Sequence, residues 1–172
     1  MIRLANTRDV EAIMSIVHGA QCSLAELGID QWQNGYPSLD VIVADIERGV
    51  GYVLCGEDDC PIGYVAIVMD GEPAYLQIAD SEWNTPNSYV VVHRLCVALD
   101  TRREGVAVRM MRYAADVARE AGIKAFRIDT HRGNIRMLSM LEKLGFAYCG
   151  IVHYDSGERL AYDLDLDLSN VL

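Results

Sequence analysis

The chain has 172 residues, of which 51% are apolar, and 25 acidic against 15 basic residues give it a formal net charge of −10 at pH 7. Length and apolar content predict one folded domain, residues 1–172, with a sizeable core. The acidic balance argues against nucleic acid as a partner, because binding phosphate backbones requires a basic surface. Since no apolar run approaches about 18 residues, we expect no membrane span.

The five cysteines are odd in number and scattered along the chain: Cys22, Cys55, Cys60, Cys96 and Cys149. Because the chain also opens without a charged and then apolar leader, we expect free thiols in a reducing cytoplasm. Cys55 and Cys60 flank a short turn, but no histidine or second cysteine pair accompanies them. The sequence therefore predicts no metal site.

The N-terminal third predicts a short strand over Ile2–Ala5 and then a helix that Thr7 caps. Apolar residues recur at spacings of three and four up to Gly28, which predicts one buried helical stripe: Val10, Ile13, Val17, Ala20, Leu24 and Leu27. After a loop, Ser38 is placed to begin a second helix and Gly49 to end it.

The remaining chain alternates strands and helices. Strands are predicted at Tyr52–Cys55, Ile62–Met69, Tyr89–Val97, Ala125–Thr130, Ala147–His153 and Arg159–Leu168. Helices are predicted after Gly105 and before Gly145. In the last strand, leucine and tyrosine alternate with acidic residues, which predicts one buried face and one solvent-exposed face. This order predicts an α/β (α+β) fold, with a mixed, mostly antiparallel sheet flanked by helices.

A basic turn with a glycine joins the strand Tyr89–Val97 to the next helix. Gly105 allows the backbone to approach a ligand closely. The first N–H groups of the helix lack intrahelical partners and lie at the positive end of its dipole. Such an end binds phosphate, and Arg102 and Arg103 add positive charge. Neither a G-x-G-x-x-G fingerprint nor a Walker A loop is present.

The pattern Arg102-x-x-Gly105-x-Ala107 resembles the Q/R-x-x-G-x-G/A signature of the GNAT (GCN5-related N-acetyltransferase) superfamily. Asn134, after the strand Ala125–Thr130, and the run Lys143-Leu144-Gly145-Phe146 are also similar to the family. The resemblance implies a GNAT fold and an acetyl-CoA-dependent N-acetyltransferase that works by direct attack in a ternary complex. It also implies cofactor-binding roles for Leu95, Cys96, Val97, Arg102, Arg103, Glu104, Gly105, Val106, Ala107, Val108 and Asn134. Asn134 suits a helix N-cap equally well.

Removing a proton from the acceptor amine calls for a base that titrates near neutral pH. His93, four residues before Val97, stands where some family members carry a glutamate base, and its alternative role is packing within the sheet. His131, His153, Asp129 and a water chain remain other candidates.

The chain departs from the family pattern at Leu141, where many members have a tyrosine that protonates the departing thiolate. Cys149, Tyr148 or Tyr154 could replace it. A thiolate of pKa about 8.5 also leaves without acid assistance. The departure leaves open a non-catalytic acyl-CoA-binding sensor of the same fold. An enzyme that uses a longer acyl group is a third alternative, which depends on the bulk near Leu95 and Cys96.

The acceptor pocket of this fold is expected to use aromatic residues in loops, because they combine apolar area with a polar edge. The candidates for substrate binding are Trp32, Tyr36, Tyr89 and His153, with Trp83 beside them. Packing of the loops on the core is the alternative for each of them. The expected partner is a small-molecule, amino-acid or peptide amine, and a homodimer stays open.

Overall fold

The computed structural model describes residues 1–86, 88–101 and 104–168. Its strands form a sheet in the order β1-β2-β3-β4-β5-β7-β6. The strands are β1 (Ile2–Leu4), β2 (Gly51–Cys55), β3 (Pro61–Val68), β4 (Tyr89–Val97), β5 (Ala125–Thr130), β6 (Ala147–Tyr154) and β7 (Gly157–Asp165). The α-helices are α1 (Val10–Glu26), α2 (Leu39–Glu47), α3 (Val106–Glu120) and α4 (Ile135–Lys143). Short 3-10 turns cover Thr7–Asp9, Pro73–Leu76 and Leu99–Thr101.

The predicted mixed, mostly antiparallel sheet is confirmed. β1 with β2, β2 with β3, β5 with β7 and β6 with β7 pair antiparallel. β4 and β5 pair in parallel, with Tyr89–Val91 opposite Ala125–Arg127. Residues Leu95–Val97 lie further along β4 than these three pairs.

The chain divides into two compact units. The first contains Met1–Ile67 and Val92–Tyr113. Its core gathers apolar side chains of α1, α2, β2, β3 and β4, among them Ile13, Val17, Ile42, Val53, Tyr64 and Cys96. In this unit Gly63 lets β3 and α3 come close together, because a Cβ at Gly63 would lie 2.8 Å from both Met110 Sδ and Val106 Cγ1. The first turn of α3 is thereby fixed against β3.

The second unit contains Val68–Val91 and Ala114–Leu172. Phe126 of β5 and Phe146, next to β6, pack edge to face with their centroids 5.2 Å apart. Leu141 of α4 is fully buried, and its carbonyl accepts the N–H of Phe146 at 3.0 Å. The turn after α4 is therefore held onto the apolar interior of this unit.

The prediction that Thr7 caps the first helix is wrong, because Thr7 lies within a 3-10 turn and the N-cap residue of α1 is Asp9. Asn6 is the cap of the turn before α1: its side chain accepts the N–H of Arg8 at 3.1 Å, and its own N–H is donated to Asp9 Oδ2 at 2.9 Å. This reciprocal arrangement satisfies two backbone donors, which a threonine one position later would not.

The prediction of an exposed acidic face on the last strand is also wrong. β7 ends at Asp165, and its residues Arg159, Ala161 and Asp163 are buried. Asp163 is covered because Asn84 and Thr85 each donate two hydrogen bonds to its carboxylate, at 2.8 to 3.1 Å. A carboxylate with four donors tolerates burial that an unpartnered one would not.

Candidate active site

The segment from β4 to α3 has the predicted order of elements. β4 ends at Val97, a 3-10 turn follows at Leu99–Thr101, and α3 begins at Val106. Arg102 and Arg103, both predicted to bind phosphate, lie outside the described residues. Glu104 and Gly105 are exposed, Val106 is buried, and Ala107 and Val108 are half-buried. The backbone of this turn therefore faces solvent at the start of a fifteen-residue helix.

Gly105 has φ +75°, in the left-handed region that side chains disfavour. Among the described residues, no heavy atom lies within 4 Å of the Cβ that it lacks. The backbone conformation and not crowding therefore requires glycine here. The N–H groups of the first turn of α3 follow directly, which is the geometry that binds anions.

The last three residues of β4 are Leu95, Cys96 and Val97. Cys96 is 4% exposed, and burial raises the pKa of its thiol to about 12. The thiol is neutral at physiological pH and is unsuited to nucleophilic attack. Leu95 and Val97 are half-buried, and the next N–H, of Ala98, is donated to Ile62 of β3 at 2.9 Å. Any contribution of these three residues to ligand binding would come from the backbone.

His93 is half-buried in β4, and the residue after it breaks the regular strand. Arg94 has φ +57°. A non-glycine residue in this region costs about 1–2 kcal/mol, so the surrounding contacts must hold it there.

A network of hydrogen bonds around Arg94 provides those contacts. Its Nε and Nη2 donate to Asp45 Oδ2 at 2.7 Å and Oδ1 at 2.8 Å, and its Nη1 donates to Tyr36 Oη at 2.7 Å. The hydroxyl of Tyr64 donates to Asp45 Oδ2 at 2.7 Å, and burial raises the pKa of that hydroxyl. The side chains of Arg94 and Asp45 are 10% and 4% exposed.

Sequence reasoning missed this network. The available signal was Asp45 itself, which falls between Ile42 and Ile46 on the apolar face of α2. A carboxylate at such a position is rarely buried unless it is paired.

Two predicted substrate residues lie on the loop between α1 and α2. Trp32 is half-buried and packs against the core of the first unit. Tyr36 is 37% exposed, its hydroxyl accepts from Arg94, and its carbonyl accepts from Gln21 Nε2 at 3.0 Å. Tyr36 and Arg94 are thus brought together, one residue along from His93.

In the second unit, Asn134 has the capping role that its sequence position allowed. Its side-chain oxygen accepts the N–H of Met137 at 3.3 Å, which caps α4. The predicted contact of Asn134 with a cofactor stays a prediction.

Tyr89 and Trp83 pack on either side of a buried arginine. The guanidinium carbon of Arg127 lies 4.2 Å from the ring centroid of Tyr89 and 4.3 Å from that of Trp83. The Tyr89 hydroxyl accepts the N–H of Glu72 at 3.1 Å, and Trp83 Nε1 donates to the Tyr75 carbonyl at 3.0 Å. These contacts favour the packing alternative for both aromatic residues.

His153, the fourth predicted substrate residue, is exposed on β6 and lines a cavity of about 570 Å³ in the second unit. The other lining residues belong to the segment before β4: Pro73, Ala74, Leu76, Gln77, Ile78 and Ala79. His153 therefore lies at a cavity large enough for a small molecule.

The alternative acids and bases have defined partners. Asp129 Oδ2 accepts from Tyr75 Oη at 2.8 Å and from Tyr154 Oη at 2.9 Å. His131 Nδ1 accepts the N–H of Gly133 at 3.0 Å. Burial raises the pKa of the Cys149 thiol to about 12, and Tyr148 is 52% exposed on β6. Leu141 is buried and leaves no hydroxyl at the position where many members of the family that the sequence resembles have a tyrosine.

Three further observations limit the kinds of site that the described residues form. They contain no group of three or more histidine, cysteine or acidic side chains that could hold a metal ion. No helix among them is long and apolar enough to cross a membrane. All five cysteines are free thiols, as predicted.

The chain resembles acetyltransferases in both structure and sequence. The solved structure of a GNAT-family acetyltransferase from Streptococcus agalactiae superposes on this chain with a TM-score of 0.86, at 34% sequence identity. The match covers 96% of this chain and 94% of the other chain. GCN5-related N-acetyltransferase 6, chloroplastic, from Arabidopsis thaliana is 35% identical over 61% of this chain. Streptothricin acetyltransferase from Streptomyces lavendulae is 31% identical over 56% of it.

The alignments with these two curated relatives cover 33% and 50% of the relatives' own lengths. The model of the acetyltransferase (GNAT) family matches residues 22–146, which is more than half of the chain and includes β4, the Gly105 turn and α4. The resemblance seen in the motif residues is confirmed, and the chain belongs to the acetyltransferase (GNAT) family.

Proposed function

We propose that this protein is an acetyl-CoA-dependent N-acetyltransferase that acetylates an amine of a small molecule, amino acid or peptide. The observation that carries the proposal is Gly105, whose left-handed backbone immediately precedes α3 in the turn that follows β4, inside the segment that the GNAT family model matches. The names of the relatives support N-acetyl transfer, and the free cysteines support a cytoplasmic location.

The cofactor-binding role falls to the turn and the strand before it. The N–H groups at the start of α3, from Gly105 to Val108, would bind the pyrophosphate with the help of the helix dipole. Glu104 would lie beside it, with its own N–H donated to the Thr101 carbonyl at 3.4 Å. Arg102 and Arg103 would add charge. The backbone of Leu95–Val97 would bind the pantetheine arm, with the N–H of Val97 towards the thioester carbonyl. Asn134 would bind the arm while it caps α4.

Acetyl-CoA supplies the acyl group as a thioester, and the acceptor nitrogen attacks it directly. His93 would take the amine proton, since it lies on the same strand as Leu95–Val97. The C–N bond forms as the C–S bond breaks, and the thiolate leaves without an acid at Leu141. Bringing both substrates together in one complex supplies much of the rate.

The acceptor would be bound at the loop that carries Trp32 and Tyr36 in the first unit. His153, at its cavity in the second unit, is a separate candidate, whereas the contacts of Tyr89 favour packing. The formal charge of −10 favours a cationic amine, because an acidic field concentrates cations.

A thiol-release assay tests the proposal. The protein is mixed with acetyl-CoA and a panel of polyamines, amino acids and peptides, and free CoA is measured with a thiol reagent. We expect release with at least one amine and only hydrolytic background without an acceptor. Binding of acetyl-CoA with no release for any amine would contradict the proposal and favour the non-catalytic sensor.

A further inference from the structure

Arg94 has an unusual backbone conformation next to the residues proposed for catalysis and cofactor binding. It is the one residue between His93 and the segment Leu95–Val97, and its φ of +57° interrupts an otherwise extended strand. Irregularities of this kind re-aim the neighbouring side chains and backbone groups of a strand. They persist only where the surroundings determine them, and they concentrate at active sites.

What determines the conformation of Arg94 is its guanidinium. Three of its nitrogens donate within 2.7 to 2.8 Å, two of them to Asp45 of α2 and one to the hydroxyl of Tyr36. The two-pronged contact with Asp45 requires the planar fork of arginine, which lysine does not have. Because the Asp45 side chain is only 4% exposed, a backbone change at Arg94 would pull the guanidinium off a carboxylate that solvent barely reaches.

Asp45 is itself held in place. The Tyr64 hydroxyl of β3 donates to its Oδ2, and the carboxylate lies on a helix whose residue Ile42 is fully buried. α2 and β3 therefore anchor the carboxylate, and the carboxylate anchors Arg94. Tyr36, one of the residues expected to meet the acceptor, is fastened to the same guanidinium.

We propose that Asp45 and Arg94 are positioning residues, which fix the backbone conformation of β4 between His93 and Leu95. The pair also holds this part of β4 in a fixed position relative to the loop that carries Tyr36. The inference rests on the proposed function. Asp45 would not touch either substrate, and it acts through Arg94. The pair would thus set two distances within one unit of the protein: from the base His93 to the backbone of Leu95–Val97, and from His93 to the loop that carries Tyr36.

The test compares Arg94→Lys and Asp45→Asn with Asp59→Asn. Asp59 also pairs with an arginine of the same unit, Arg3 at 3.3 Å, but it is 54% exposed and remote in sequence from β4. For each protein we would measure Tm, the Kd of acetyl-CoA by calorimetry, and kcat per folded molecule. Arg94→Lys keeps the positive charge but loses the planar guanidinium that donates two hydrogen bonds to Asp45.

We expect both variants to lose kcat on the order of a hundredfold, since small misplacements of reacting groups have effects of that size. The Kd of acetyl-CoA should change less than about threefold, because phosphate affinity resides at Gly105. Asp59→Asn should keep wild-type kcat. The double variant should lose little more than either single one, since residues that act as a unit are not additive.

If both variants lose Tm but keep kcat within about twofold of wild type, the pair is only structural and the inference fails, while the proposed function stands. If wild-type protein releases no CoA, the proposed function fails and takes the inference with it. Should Asp45→Asn not fold, Tyr64→Phe removes the donor that steadies Asp45 and should lower kcat in the same direction, whereas an unchanged kcat would count against the inference.

Discussion

The carboxylate of Asp129 accepts a hydrogen bond from the Tyr154 hydroxyl at 2.9 Å. Asp129 is an alternative base of the proposed reaction and Tyr154 an alternative acid, and the two are hydrogen-bonded to each other. A second hydroxyl, from Tyr75, donates to the same carboxylate oxygen, and burial raises the pKa of that hydroxyl well above its usual value. Two phenol hydroxyls thus occupy Asp129 Oδ2 as hydrogen-bond donors. This arrangement favours His93 as the base.

His93→Ala and His93→Gln should each lower kcat/KM about a hundredfold or more, which is the usual contribution of a general base. Both variants should also lose the break that the base contributes to the acid limb of log(kcat/KM) against pH, because neither side chain takes up the proton. The matched control is His18→Ala, which removes an exposed histidine of α1 in the same unit.

Asp129→Asn should keep more than about a tenth of wild-type turnover and the same acid limb. If Asp129→Asn instead shows the hundredfold loss with acetyl-CoA binding intact, and His93→Ala does not, the assignments of base and structural residue are reversed.

Gly105→Ala should weaken acetyl-CoA binding at least about tenfold, because a left-handed alanine is strained by about 1–2 kcal/mol and the turn relaxes away from its anion-binding conformation. Gly28→Ala is a close control. Gly28 has φ +69° against +75° for Gly105, and neither has a described heavy atom within 4 Å of its missing Cβ. Both variants should lose similar Tm, but only Gly105→Ala should lose the acetyl-CoA-induced rise in Tm. Equal ligand shifts in the two variants would remove Gly105 from the cofactor site.

Leu141→Tyr should lower Tm without raising kcat. Leu141 is fully buried, and a larger side chain in a packed interior costs about 1–3 kcal/mol. Leu141→Phe carries the same ring without the hydroxyl and separates the effect of size from that of acidity. A kcat above wild type for Leu141→Tyr alone would show that thiolate departure limits the rate and that the hydroxyl serves as the acid.

The ion pair of Asp9 with Arg3 should make stability depend on pH in the acidic range. Arg3 Nη1 and Nη2 donate to the two Asp9 oxygens at 2.7 and 2.9 Å, and this contact lowers the pKa of the Asp9 carboxyl. A lowered pKa in the folded state means that the stabilisation is complete above the unfolded value of about 3.9 and is lost as pH falls through the folded value. Asp9→Asn should therefore lower the free energy of unfolding at pH 7, by urea titration, and differ less from wild type below about pH 3. If the free energies of unfolding of wild type and Asp9→Asn differ by the same amount at pH 7 and below about pH 3, the ion pair is not the cause of the difference.

The parts of the fold and site that follow from local pattern could be predicted from the sequence. The passage from β4 through Gly105 into α3 is one of them, because strand composition, glycine and helical periodicity are all read within a few residues. The helix-capping role of Asn134 is another, since its partner Met137 lies three residues away.

Interactions between distant segments could not be predicted. Arg94 and Asp45 are 49 residues apart, and Asn84 and Asp163 are 79 apart. The alternation in β7 predicted an exposed Asp163, because periodicity identifies the two faces of a strand but not what covers them. A buried carboxylate is recognised only when its donors are known, and those donors lie in other elements.

The most direct test of N-acetyl transfer is identification of the product. The protein is incubated with acetyl-CoA carrying a labelled acetyl group and with the best amine from the panel, and the label is then located by mass spectrometry. Direct transfer predicts label on the acceptor nitrogen, in an amount equal to the CoA released, with no acetylated protein accumulating when the acceptor is omitted. CoA release without labelled amine, or an acetyl-protein that forms without acceptor and passes its label on, would contradict direct transfer.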